Sequence, residues 1–210
     1  MPQSHARRRE LQAEQTRRDI VQAARRLFVA RGYARTSMAD IAREAGVAIQ
    51  TIYASVGPKQ SFLRELNQLI DQEAGVAEIV EALAATGDPH EKLRLAVRAT
   101  RQVVERAGDL VSAVHAGAGT DPEMAAILEE GRRRHREGME DLARGLETAG
   151  ALREGMTAER AAQTIAVLSS NEVYFQLTRQ FGMAFDEAEV WILSTLGPLV
   201  LVPSPPRRGL

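Results

Sequence analysis

An apolar periodicity of helical type runs through most of this chain, and between residues 32 and 58 it is cut at Gly32, Gly46 and the Gly57-Pro58 pair. Glycine enters left-handed backbone without penalty and proline cannot continue a helix, so these cuts predict short helices joined by tight turns. Before the first cut, Ile20, Ala23, Ala24, Leu27, Phe28 and Ala30 form one apolar stripe, predicting a helix over about residues 14–31. After it, Ser37 followed by Asp40 is a capping-box pattern, in which the hydroxyl accepts from the Asp40 amide and the carboxylate from the Ser37 amide. That pattern predicts a short helix with Met38, Ile41, Ala42 and Ala45 inward, ending at Gly46. A third helix is expected over about residues 48–55, and Lys59 opens a fourth with Phe62, Leu63, Leu66 and Ile70 at helical spacing. Strictly alternating β-branched or aromatic runs are missing, so the fold class is all-α.

Two short helices joined across Ala45-Gly46 have the form of a helix-turn-helix, whose second helix enters the major groove of DNA. Val47, Ile52 and Val56 are expected to face the core, leaving Ala48, Ile49, Gln50, Thr51 and Tyr53 outward. Gln50 has the two-point chemistry that pairs with an adenine edge, Thr51 can bond a base or a phosphate, and Ala48 or Ile49 can touch a thymine methyl. Tyr53 and Lys59 suit phosphates. Charge runs the same way: residues 1–60 hold 11 Lys or Arg against 5 Asp or Glu, whereas residues 61–210 hold 16 against 23. A basic head on an acidic body points to a polyanion at one end.

Other chemistries find little support. Cysteine is absent, and His5, His90, His115 and His135 have no metal-ligand spacing, so neither a metal nor a cofactor is expected. A phosphate-cradling glycine loop and a nucleophile elbow are both missing, which argues against an enzyme. The N-terminus has basic residues without a following apolar core, and no run spans a bilayer, so a cytoplasmic protein without membrane attachment is expected.

The stretch "RRLFVARGYARTSMADIAREAGVAIQTIYASVGPKQSFL", about residues 25–63, resembles the tetracycline-repressor (TetR) family of transcriptional regulators. The order Gly32-Tyr33, Thr36-Ser37, Asp40-Ile41-Ala42, Ala45-Gly46-Val47, Thr51, Tyr53, Lys59 and Leu63 carries the resemblance. It implies that Thr36 and Ser37 touch the DNA backbone, that Thr51 and Tyr53 sit on the recognition helix, and that Lys59 grips a phosphate. The chain departs from the family where Ile49 replaces a usual basic residue and where Ala54, Ser55 and Val56 replace aromatic or histidine residues after Tyr53. Fewer polar contacts and a greater role for Gln50 follow.

The expected organisation is a flexible basic arm over residues 1–13, the helix-turn-helix domain over 14–62, a helical effector-binding and dimerisation domain over 63–202, and a disordered tail over 203–210. The arm could reach a minor groove, while Arg17 and Arg18 read as a solvated face. Body helices are expected from Asp88-Pro89, over about residues 109–116, from Asp121-Pro122 to Gly150, from Thr157 through Leu177, and from Asp186. In the last of these "VWILSTLGPLVL" is apolar on nearly every side, so the last two helices are expected to pair two copies through Val173, Leu177, Val190, Trp191, Leu193 and Leu196. The resemblance further implies a small-molecule effector, with His115, Asn171 and Tyr174 as the polar candidates to meet it. The run "EEGRRRHREGMED" reads as a salt-bridged exposed face. Together these make the chain a homodimeric repressor released from a palindromic operator by its effector. The alternative is a helical small-molecule binder whose head has lost specific DNA binding.

Overall fold

The computed structural model describes residues 2–203, with side chains from Arg7 onward. Along them run α1 (Pro2–Arg31), α2 (Met38–Ala45), α3 (Ile49–Ser55), α4 (Ser61–Ala74), α5 (Val76–Ala85), α6 (Pro89–Ala118), α7 (Pro122–Thr148), α8 (Ala158–Leu168), α9 (Asn171–Phe175) and α10 (Phe185–Val200). A π-helical turn, Gln176–Gln180, extends α9. Among the described residues there is no strand, only an isolated antiparallel bridge between Leu152 and Leu201, and no helix is long and apolar enough to cross a membrane.

The first helix is longer than its apolar stripe. Residues 2–13, expected as a flexible arm, are its opening turns, since nothing from Gln3 to Arg31 is a glycine or proline and Pro2 stands where a missing amide proton costs nothing. Met1 and the expected tail beyond Pro203 lie outside the described residues.

The chain divides into two compact units, one of residues up to 70 with 108–129, the other of residues 71–107 with those from 130 on. In the first, Ile20, Phe28, Ile41, Ile52, Phe62 and Leu66 are almost wholly buried. Phe28 meets Tyr33 edge-on at 5.0 Å between ring centroids and Phe62 at 6.3 Å, a geometry that aromatic quadrupoles favour. Leu110, Val114, Met124 and Ile127 join the same core, so the apolar cluster of the head draws on residues well past position 62. Arg25 fixes the start of this second piece, its Nη2 lying 2.6 Å from an Asp109 oxygen.

Where two helices were expected near residue 107, α6 runs on through a kink with Ala107 at φ −126°, ψ 18°. The Asp109 carboxylate accepts from the Leu110 amide at 2.7 Å, supplying a partner where the helical ladder is interrupted.

The second unit gathers Leu93, Val97 and Val104 of α6, Leu146 of α7, Ile165 of α8, Tyr174 of α9, and Ile192 and Leu196 of α10 around one core. Its α5 is an addition to the sequence-based expectations, entered through Gly75 at φ +63°. The helix expected to run from Thr157 through Leu177 is broken at Ser169-Ser170: the Ser169 hydroxyl donates to the Ile165 carbonyl at 2.7 Å, and the Ser170 hydroxyl accepts from the Val173 amide at 3.3 Å. The last helix, expected from Asp186, is entered at Ala184, where the Glu187 carboxylate accepts from the Ala184 amide at 2.9 Å. Glu189 lies 5% exposed, 2.5 Å from Arg101 and 3.5 Å from Arg98, a buried charge with the pairing it requires. On α7 the arginine-rich run is an exposed, paired face: Arg133 bridges Glu130 at 2.7 Å and Glu137 at 2.6 Å, Arg134 meets Asp71 at 2.7 Å, and Arg132 meets Glu172 at 2.8 Å.

Candidate nucleic-acid interface

Local chemistry sets α2 and α3. Ser37 caps α2 in extended backbone, its hydroxyl accepting from the Asp40 amide at 3.1 Å while the Asp40 carboxylate accepts from the Ser37 amide at 3.0 Å. The Ser37 hydroxyl and amide, helped by Arg43, hold the Asp40 carboxyl below its usual range. Gly46 closes α2 at φ +68°, and the Val47 amide returns to the Ala42 carbonyl at 3.0 Å. A side chain with a β-carbon would be strained at that φ, so the turn between the helices depends on glycine.

The short α3 is oriented by Ile52 and Val56, which are buried at 0% and 7% exposure. That leaves Ala48 and Gln50 exposed, with Ile49 at 39% and Tyr53 at 53%, and Thr51 half-buried between them. Ala48, Ile49, Gln50, Thr51 and Tyr53 therefore share the free side of one helix, and Ser37 is exposed at the start of the other.

Thr36 departs from the expectation placed on it. It is 2% exposed, and its hydroxyl donates back to the Gly32 carbonyl at 2.9 Å, so the side chain shapes the turn after α1 and is withdrawn from the surface. Lys59 precedes α4 in a turn instead of opening the helix, and its Nζ stands 4.1 Å from the centre of the Tyr33 ring. The Tyr33 hydroxyl donates to Glu123, whose other oxygen accepts from Gln60 at 2.7 Å. Burial and the Glu123 carboxylate push the Tyr33 hydroxyl well above the ordinary phenol range. A cation held over a ring in this way is attracted by the ring's negative face, which steadies the lysine stem.

Two contacts here have no local signature in the sequence. Arg17 donates through Nη1 to the Ser55 carbonyl at the end of α3 and forks Glu65 of α4, at 3.2 Å through Nε and 2.5 Å through Nη2. Its reading as a solvated face is thus replaced by a tie among three helices. Gln60 likewise gains its role only through Glu123. Nothing in helical periodicity pairs positions so far apart in the chain.

The residues proposed from sequence to meet an effector fall in different units. His115 belongs to the first, its Nδ1 2.8 Å from the Val111 carbonyl, and Asn171 and Tyr174 to the second. Tyr174 is fully buried with its hydroxyl donating to the Val97 carbonyl at 3.2 Å, and burial raises that hydroxyl above its ordinary range. It is a satisfied core residue, with no free polar tip.

Residues 20–66 match the family model of the bacterial regulatory proteins of the tetR family. Over that segment the chain is similar to the TetR family. Over 89 residues it is 34% identical to the HTH-type transcriptional regulator AcrR of Shigella flexneri, a match spanning 42% of this chain and 41% of that one. Over 76 residues it is 41% identical to the HTH-type transcriptional regulator TtgR of Pseudomonas putida, spanning 34% and 36% respectively. These matches cover less than half of either relative. The likeness in fold extends further: the crystal structure of NalD, the secondary repressor of the MexAB-OprM multidrug efflux pump in Pseudomonas aeruginosa, covers 90% of this chain and 98% of its own with a TM-score of 0.72, at 21% identity.

Proposed function

We propose that this chain is a sequence-specific DNA-binding transcriptional regulator, acting in the cytoplasm as a homodimeric repressor that a small-molecule effector releases from a palindromic operator. The observation that carries it is the free face of α3, where Gln50, Thr51 and Tyr53 stand outward while Ile52 and Val56 are buried, within the stretch that matches the family. Gln50 reads a base edge, Ala48 and Ile49 offer apolar contact to a thymine methyl, and Ser37, Thr51, Tyr53 and Lys59 engage the backbone. NalD, a named repressor, supports the sign of regulation.

Pairing is supported by the exposed large apolar residues of the second unit, among them Val190 at 66% and Trp191 at 42% exposure on α10, with Val167, Phe181 and Leu199 also exposed. Leu177 and Leu196 are turned into the core and leave the pairing set, and Val173 and Leu193 lie partly buried against that core. Two heads in one dimer would read half-sites about 34–36 Å apart.

The test is selection of fragments from the source genome by the full chain, followed by footprinting of what is retained. A recovered pseudo-palindrome with strongly salt-dependent affinity supports the reading. Retention of no fragment above background, or binding insensitive to salt, overturns it.

A further inference from the structure

Of the helices in the head, α3 is the least able to hold itself. It spans Ile49–Ser55, has no side-chain cap at Ala48, and has no acidic residue in its first turn or basic residue in its last. Ile49, Thr51 and Ile52 are β-branched and add little helix propensity. After Tyr53 only Val56 reaches the core, because Ala54 is small and exposed and Ser55 is half-buried. The angle at which α3 presents its free face therefore depends on what grips its ends.

Arg17 grips one of them. Its guanidinium donates to the Ser55 carbonyl, at the terminus where unsatisfied carbonyls give a helix its negative pole. The same guanidinium is forked by Glu65, whose side chain is 11% exposed, while the exposed Arg64 stands at 4.0 Å on the rim of that pair. A planar fork bound on two edges has little freedom left, unlike a lysine, which offers one point of charge.

We propose that Arg17 is a positioning residue for the recognition helix: it caps the C-terminus of α3, and Glu65 locks it in place, so that the pair sets how Gln50, Thr51 and Tyr53 meet DNA. It takes over the anchoring that larger residues at positions 54–56 would otherwise supply. The proposal rests on the DNA-binding reading above for its consequence, though not for its geometry.

Charge separates this role from direct phosphate contact. Arg17→Met is expected to weaken operator binding about tenfold, the loss of one charged hydrogen bond, while the slope of log affinity against log salt stays as in wild type. A phosphate ligand would instead lose close to one unit of that slope. Glu65→Gln removes one negative charge, which on electrostatics alone tightens DNA binding; positioning requires it to weaken binding several-fold. Arg17→Lys, unchanged in charge, is expected to fall between wild type and Arg17→Met. In the free protein, amide hydrogen exchange over residues 49–57 should quicken in Arg17→Met and Glu65→Gln and stay unchanged in Arg18→Met, an exposed control. A slope lowered by a unit in Arg17→Met, tighter binding by Glu65→Gln, or unaltered exchange in α3 would each overturn the proposal. Were the wild type to retain no DNA, the functional reading would fall while the exchange measurement still decided whether Arg17 holds α3.

Discussion

Replacing Lys59 by alanine removes two things at once, and they are read by different assays. The first is the cation over the Tyr33 ring at 4.1 Å, a contact worth about 0.5–1 kcal/mol when partly exposed. For a chain of this size that corresponds to a melting temperature lower by about 1–4 °C. The second is the phosphate contact proposed above for Lys59, whose loss lowers the slope of log affinity against log salt by roughly 0.9. Between 50 and 200 mM salt that difference amounts to about 3.5-fold in affinity, so wild type and variant should converge as salt rises. Lys59→Arg keeps both the charge and the stacking and should follow wild type in each assay. The measurements are calorimetric melting and fluorescence anisotropy on the selected operator across a salt series. Weaker binding with an unchanged slope would refute the phosphate role and leave Lys59 acting only through Tyr33; an unchanged melting temperature would remove the ring contact.

Ile52→Ala empties a site with no exposure beneath α3, so it should cost about 2–5 kcal/mol and lower the melting temperature by roughly 4–20 °C in a thermal scan. Ser37→Ala should lower it by about 2–4 °C, and adding Asp40→Asn should change little further because the two residues cap α2 as one unit; additive losses would contradict the reciprocal cap. Burial depresses His135 below its ordinary value, with Arg136 adding to the effect and the Ala166 carbonyl and Glu172 opposing it. Its unfolded form takes up a proton first as pH falls, so stability is complete above about pH 6.5 and declines as pH drops through the lower folded value. His135→Gln should flatten the fall in melting temperature between pH 7 and 5, and parallel curves for the two proteins would discount it.

Much of the head was legible because its signals are local. Ser37 and Asp40 stand at the spacing of a capping box and form one; Gly46 lies where a left-handed residue is needed and takes φ +68°. Ile52 and Val56 keep one face of a single helix, so their burial and the exposure of Gln50 and Tyr53 followed from period alone. Thr36 was misplaced for the same reason in reverse: its hydroxyl has a partner four residues back, and an exposed or inward rotamer looks identical in the sequence. In the body, Ser169-Ser170 breaks a helix whose apolar spacing continues unbroken, because a serine hydroxyl competes for the backbone bond that the pattern takes for granted. Leu177 and Leu196 were assigned to pairing, yet a helix apolar all round gives no sign of which side its own core will claim.

What the order of residues determined by itself was therefore whatever acts within one or two helical turns: the all-helical class, the caps and glycine stops that make α2 and α3, and the face on which Gln50, Thr51 and Tyr53 stand. Tertiary structure alone decided the partners that are distant in sequence. Arg17 met Ser55 and Glu65, Lys59 settled on Tyr33, Tyr33 on Glu123, and the apolar residues from Leu110 to Ile127 joined the core of the head. The reason is physical: a cap or a turn is satisfied by neighbours along the chain, whereas a guanidinium, a buried phenol or an apolar stripe accepts any partner that folding brings within reach.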